Sequence, residues 1–331
     1  MITEREIKQA YKNLREVVKE TPLELSYRLS EKYKAKIFLK REDLQIVRSY
    51  KIRGAYNLIS SLSPKERRRG VVCASAGNHA QGVALSCKLL KIKGRIFMPK
   101  DTPKQKIERV RIFGGKFIEL ELVGDAFDET NGVARGLAVN EGKIFVPPFD
   151  DPRVIAGQGT VAVEIYKQHK DKIDMIVVPI GGGGLISGVG IYARSVNPEV
   201  KIIGAEPEGS PSMYNSVKHK KIQTLERIDK FVDGAAVKRP GDLTFAITRK
   251  VANKILLVPE GKVCSDMIAL YQNDGIIAEP AGTLSVSALD QIAREIRRKT
   301  VVCIVSGGNN DISRYPEIIR RSLIYQESEA F

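Results

Sequence analysis

The chain has 331 residues, 43% hydrophobic and 28% charged, and its 54 Lys plus Arg against 39 Asp plus Glu give a net charge of +15. That length suits one large domain or two ordinary ones with real cores, and no apolar run reaches the roughly 18 residues of a membrane span. The cations are spread along the chain, and the densest run, KERRR (65–69), has no interleaved aromatics, so small anions are better expected partners than nucleic acid.

The N-terminal MITEREIKQAYKNLREVV has no signal-peptide pattern and reads as an amphipathic helix with Thr3 and Glu6 as a capping box. From there, short β-rich runs alternate with helical patterns. Strands are predicted at 36–40, 71–74, 95–98, 116–122, 143–146, 174–179, 201–205, 254–258 and 300–305. Helices are predicted at 53–62, 78–91, 103–113, 126–140, 153–168, 185–195, 263–273, 283–298 and 314–322. Thr102-Pro103 opens one of them and Gly114-Gly115 closes it. Residues 208–249 read as an irregular, polar surface excursion. Near-continuous apolar strands between helices predict an α/β fold of mostly parallel open sheets, and nine strands suggest two sheets rather than one. Cysteines 73, 87, 264 and 303 are widely spaced with no CxxC pair; Cys73 and Cys303 lie in strand-like runs, so reduced buried thiols and a cytoplasmic protein are expected. The three histidines are scattered, no metal-ligand cluster appears, and no metal is expected.

Three strands run into small-residue loops at their carboxyl ends, where open α/β sheets gather ligands. VVCA leads to SAGNHAQG (75–82), IVVPI to GGGGLISG (181–188), and VVCIV to SGGNND (306–311). Gly181 to Gly184 carry no Cβ, so backbone N–H groups can converge on one anion, with the helix opening at Leu185 adding its positive end. Neither G-K-[ST] nor G-x-G-x-x-G follows, so a terminal phosphate suits the loop better than a dinucleotide. A close strand-to-helix crossing would also call for bare backbone.

In the first loop, Ser75, Ala76 and Gly77 form a compact turn at a helix start, suited to a carboxylate, and Asn78 offers an uncharged donor. His79 is either an acid–base group or a structural hydrogen-bonder. Ser306 is either a turn residue or a neutral hydroxyl beside a flat ring. Lys51, between Tyr50 and Ile52 at the start of an apolar-periodic stretch, is either a snorkelling lysine or an amine kept for a Schiff base. Together a phosphate, a flat ring and an aldehyde captured by Lys51 describe pyridoxal 5′-phosphate.

The segments KREDLQIVRSYKIRGAYN (40–57), CASAGNHAQGVA (73–84), PFDDPRVIAGQGT (148–160), GGGGLISG (181–188), EPAG (279–282) and SGGN (306–309) follow one another in an order that resembles the fold type II pyridoxal-phosphate enzymes, specifically the threonine dehydratases. The resemblance implies a tryptophan synthase β-like architecture of two domains: 1–69 with 148–331 as the large cofactor domain, and 70–147 as the small one. It implies Lys51 joined to the cofactor, Asn78 on the ring hydroxyl, Gly181, Gly182, Gly183, Gly184 and Leu185 on the phosphate, and Ser306 facing the pyridine nitrogen. Ser75, Gly77 and His79 would take the substrate carboxylate. The implied reaction is β-elimination of L-threonine to 2-oxobutanoate and ammonia, and of L-serine to pyruvate, in isoleucine biosynthesis or threonine catabolism. A homodimer or homotetramer is implied as well.

Serine dehydratase and serine racemase are the alternatives within enzymes; a catalytically inactive phosphate-binding regulatory protein is the alternative from another class. Racemases of this kind carry a second serine where Ala76 stands, and alanine transfers no proton. Some relatives hold a divalent ion through carboxylates; Glu206 matches one ligand, but Ser210 and Ser212 follow where another carboxylate would be wanted. PEIIRRSLIYQ (316–326) resembles the end of the catalytic region in biosynthetic threonine dehydratases, which continue into an ACT-like regulatory domain, whereas the present sequence ends at Phe331. It is therefore expected to be a catalytic region without that domain.

Overall fold

A computed structural model describes residues 2–125 and 127–329. Ten strands form two sheets: β1 (Leu23–Leu25), β2 (Lys36–Arg41), β3 (Val71–Ala74), β4 (Gly94–Met98), β5 (Ile118–Leu122), β6 (Ile144–Phe145), β7 (Met175–Pro179), β8 (Lys201–Pro207), β9 (Lys254–Val258) and β10 (Thr300–Val305). The six-stranded sheet has the order β1-β2-β10-β7-β8-β9 and the four-stranded sheet β5-β4-β3-β6. Every pairing is parallel except β1 with β2.

The inner strands are β-branched runs because helices cover both faces. Strand alternation divides each run between two cores. Met175, Val177, Val301, Cys303 and Val305 enter one cluster, while Ile176, Val178, Val302 and Ile304 enter another on the opposite face. In the smaller sheet Val71 and Cys73 face one cluster and Val72 and Ala74 the other. All four cysteines are free and buried.

Strand order explains why the loops meet. From β7 the chain moves outward to β8 and β9, then crosses back to lay β10 on the other side of β7. From β3 it moves out to β4 and β5 before β6 returns to the other side of β3. Such reversals open a crevice at the strands' carboxyl ends. The three small-residue loops follow β7, β10 and β3, the strands at those reversals.

Several elements differ from the sequence expectation. The strand at 116–122 begins as a 3-10 turn, Gly115–Phe117, because Gly115 takes φ +54° to end the preceding helix. The helix at 283–298 is three pieces: Pro280–Ser287, a 3-10 segment Ala288–Ile292, and Ala293–Ile296. The helix at 126–140 covers Phe127–Asn140, its predicted first residue lying outside the described ones. The 208–249 segment is not a surface excursion. It holds helices Ser212–Lys218 and Asp242–Val251 and buries Met213, Phe231, Val232 and Phe245. Its buried apolar residues are separated by polar ones, so polarity averaged along the segment hides them. The unforeseen helices Tyr27–Tyr33 and Pro64–Arg69 are too short for a periodic signal. Among the described residues no helix is long and apolar enough to cross a membrane.

Candidate active site

Lys51 opens the helix Lys51–Ser60, whose Ala55, Leu58 and Ile59 pack into the core of the four-stranded sheet. The segment before it is stitched to the loop after β10. Tyr50 N–H donates to Ser306 O (3.2 Å), Gly308 N–H to Arg48 O (2.9 Å), and Asn309 Nδ2 to Val47 O (2.8 Å). Lys51 thus starts its helix at the junction of both sheets.

Two residues further on, Arg53 is completely buried. It donates to both oxygens of Glu42 (2.8 Å each), to both oxygens of Glu164 (2.7 and 2.8 Å) and to Thr160 Oγ1 (3.1 Å). Lys40, also fully buried, donates to Glu164 Oε2 and to Thr21 O, both at 2.6 Å. Two cations face two carboxylates with every charge hydrogen-bonded, which is the condition for burying them. Burial pushes the Glu42 carboxyl up, yet Arg53 and Lys40 hold it below its ordinary value.

Lys51 Nζ has no such company. It donates to Pro148 O at 3.0 Å and lies 5.1 Å from the Tyr50 ring centre, and it makes no ion pair with a carboxylate of the described residues. It lines a cavity of about 1090 Å³ together with Ser75, Gly77, Asn78, His79, Gly181 to Gly184 and Leu185. The residue after Pro148 joins the lysine to the glycine loop: a Cβ on Gly182 would stand 2.2 Å from the Phe149 ring. Gly183 takes φ +90°, and Thr244 Oγ1 donates to Gly182 O at 2.6 Å. With the turn so held, the N–H groups from Gly181 to Ile186 donate to no backbone carbonyl or side chain of the described residues. They surround space open to an anion.

A second set of free donors opens the helix Asn78–Leu90. Gly77 N–H donates to Ser75 Oγ (3.2 Å), while the N–H groups of Ala76, Asn78 and His79 find no acceptor among the described residues. His79 Nε2 is 2.9 Å from Val146 O, and burial, with the Lys51 charge, pushes its pKa down to about 3. The ring is neutral and donates to that carbonyl, so it pins the helix start to the end of β6. Ser306 alone of the predicted residues is off the cavity lining; it is 3% exposed and its hydroxyl donates to Ala281 O at 3.2 Å.

Sequence reasoning gave no role to Glu279, Asn309, Asp150 or Thr244, though the first three lie within quoted motifs. Asn78 Nδ2 donates to Glu279 Oε1 (2.5 Å), and Asn309 Nδ2 donates to Asn78 Oδ1 (2.7 Å). Burial, reinforced by Asp233, pushes Glu279 up to about 7. Asp150 accepts from the N–H groups of Asp242, Leu243 and Thr244 (3.0 to 3.1 Å), seating the helix whose Thr244 closes the glycine turn. Glu279-Pro280 and Asp151-Pro152 are legible as helix starts, whereas Asp150 serves a helix that begins 92 residues further on.

Glu206 is fully buried and accepts from Met213 N–H (2.8 Å) and Tyr214 N–H (2.7 Å), one on each oxygen. Among the described residues no group of three or more His, Cys, Asp or Glu is placed to hold a metal.

A lysine without a carboxylate partner and a ring of free backbone donors thus line one cavity between two α/β sheets. Residues 14–307 match the family described as pyridoxal-phosphate dependent enzyme, and the chain belongs to that family. It is 52% identical to the biosynthetic L-threonine dehydratase of Halalkalibacterium halodurans over 96% of this chain and 76% of that protein. The Bacillus subtilis protein of the same name is 52% identical over 98% of this chain and 77% of its own length. Among solved structures, the processed form of threonine deaminase isoform 2 from Solanum lycopersicum superposes with a TM-score of 0.90 at 37% identity, covering 97% of this chain and 96% of that one. Maize serine racemase gives 0.88 at 31% identity, covering 98% and 99%.

Proposed function

We propose that the protein is an ammonia-lyase that converts L-threonine to 2-oxobutanoate and ammonia, and L-serine to pyruvate and ammonia. The observation that carries this reading is Lys51: a cation without a carboxylate, on the wall of a cavity floored by free backbone donors. The relatives named as threonine dehydratases supply the substrate.

The cavity fits pyridoxal 5′-phosphate. The N–H groups from Gly181 to Leu185 are the donors for its phosphate, and a side chain on Gly182 would collide with Phe149. Lys51 Nζ is the amine for its aldehyde, and Asn78 Nδ2 has a second hydrogen for its ring hydroxyl. Ser306, whose hydroxyl donates to Ala281 O, would be the neutral partner of its pyridine nitrogen. When bound, the cofactor supplies an electron sink that acidifies the Cα–H of an attached amino acid.

The chain's own groups do the rest. Free N–H groups at Ala76, Asn78 and His79 hold the substrate carboxylate, with Ser75 and Gly77 shaping the turn and the His79 ring pinning it. The Lys51 amine takes the Cα proton as general base. Loss of the β-hydroxyl as water follows, and water re-enters to release ammonia, so threonine becomes 2-oxobutanoate plus ammonia with no net water. Serine lacks one methyl, which is worth about 1–3 kcal/mol of discrimination. Racemisation requires an acid–base group on the opposite face, and Ala76 supplies none.

Self-association as a homodimer or homotetramer and a cytoplasmic location are part of the proposal, the latter supported by four free buried thiols. Light scattering tests the first. The main test is turnover by protein reconstituted with the cofactor. A yellow holoprotein that releases oxo acid from threonine supports the reading, and one that releases none from threonine or serine ends it.

A further inference from the structure

The helix Lys104–Gly114 packs Ile107 and Val110 into the core of the four-stranded sheet, and its Arg109 reaches across to the other sheet. Arg109 Nη1 donates to Asn309 Oδ1 at 2.6 Å. Asn309, in the loop after β10, donates from Nδ2 to Asn78 Oδ1 at 2.7 Å, and Asn78 donates from Nδ2 to Glu279 Oε1 at 2.5 Å. The chain of bonds crosses between the two sheets at each step.

Its direction is set at the Arg109 end. A guanidinium only donates, whereas the Glu279 carboxyl, pushed up to about 7, can accept in either protonation state. The two amides between them must therefore both turn oxygen toward Arg109 and nitrogen toward Glu279. Flipping either would set donor against donor or acceptor against acceptor. Asn78 needs this help because a free amide could present its oxygen to the cavity instead.

Resting on the cofactor reading above, we propose that Arg109 is a positioning residue for the cofactor: acting through Asn309, it fixes the amide of Asn78 so that an N–H, not the carbonyl oxygen, faces the ring hydroxyl. Arg109 and Asn309 line the same cavity, and the proposed action of Arg109 runs through the two amides. A structural rival exists on the same helix, where Lys106 Nζ bridges to Asp233 Oδ2 at 2.7 Å and also joins the two sheets. If Arg109 were only a clasp, the two bridges would be equivalent.

The test compares Arg109→Ala, Arg109→Lys and Lys106→Ala in the full chain reconstituted with pyridoxal 5′-phosphate. Two readouts are used: cofactor dissociation by equilibrium dialysis, and the pH titration of the bound cofactor's visible band. Arg109→Ala is expected to weaken cofactor binding about tenfold, the size of one charge-assisted bond, and to shift the titration midpoint. Arg109→Lys, still donor-only, is expected to restore most of both, and Lys106→Ala to leave cofactor dissociation unchanged. Unchanged binding and midpoint in Arg109→Ala, or equal effects in Lys106→Ala, would overturn the proposal. A wild-type protein that takes up no cofactor at all would instead overturn the cofactor reading, and this inference with it.

Discussion

Lys51 and Arg53 stand two residues apart on one helix and have opposite surroundings. Behind the helix, Arg53 and Lys40 are sealed with Glu42 and Glu164, and each charge has its counterpart. In front, Lys51 has a backbone carbonyl and an aromatic face, and the glycine loop across from it offers donors without acceptors. A cation that serves folding is neutralised on the spot, because an unpaired buried charge is untenable. A cation kept for chemistry is left without a carboxylate, which would hold its proton and block the nitrogen.

The largest test of that contrast is a pair of substitutions. Lys51→Ala should lower turnover by more than about 10³-fold, while the thermal midpoint moves little, since a single hydrogen bond is lost. Arg53→Met should do the reverse in kind: it leaves Glu42 and Glu164 buried and facing each other, and should remove about 3–5 kcal/mol of stability in denaturant melts. Equal melting of the Arg53 variant and the parent would break the comparison. Next in size is Gly182→Ala. Its Cβ would meet the Phe149 ring at 2.2 Å, so the loop or the ring must shift, and cofactor affinity should fall about tenfold or more by dialysis.

The smallest effect is a pH slope. The Glu42 carboxyl inside the matched cluster is held below its ordinary value by Arg53 and Lys40, whereas Glu206, with no cation, is pushed by burial up to about 8 from an ordinary 4.5. Its native pKa is raised, so the native state keeps a proton the unfolded chain has lost. That contribution is complete below 4.5 and is lost as pH rises toward 8. His79 works with the opposite sign, since only the unfolded chain protonates it near 6.5, but that contribution is common to parent and variant and cancels in their difference. Melting temperature should therefore decline between about pH 6.5 and pH 8, less steeply in Glu206→Gln. A parent slope no steeper than the variant's would count against a lone protonated carboxyl.

The run IVVPIGGGG carried its own meaning, since buried parallel strands and a Cβ-free turn are written in local residue types. So did the apolar setting of Lys51 and the helix start at Asn78. Strand alternation and turn chemistry act over a few residues, which is why nine of ten strands and three of the loops were legible. β1 was not, being three residues long and set by its antiparallel partner β2. Other features depended on distance in the chain. Glu279 and Asn78 are 201 positions apart, and Arg109 and Asn309 are 200 apart. Nothing local marks Glu164 as the counter-ion of Arg53, or Thr244 as the bolt of the glycine turn. The sequence by itself decided the elements and the chemistry of each loop, because those follow from side-chain type and spacing. Tertiary structure alone decided which charges are cancelled and which are left open, because that depends on strand order bringing remote segments into one crevice.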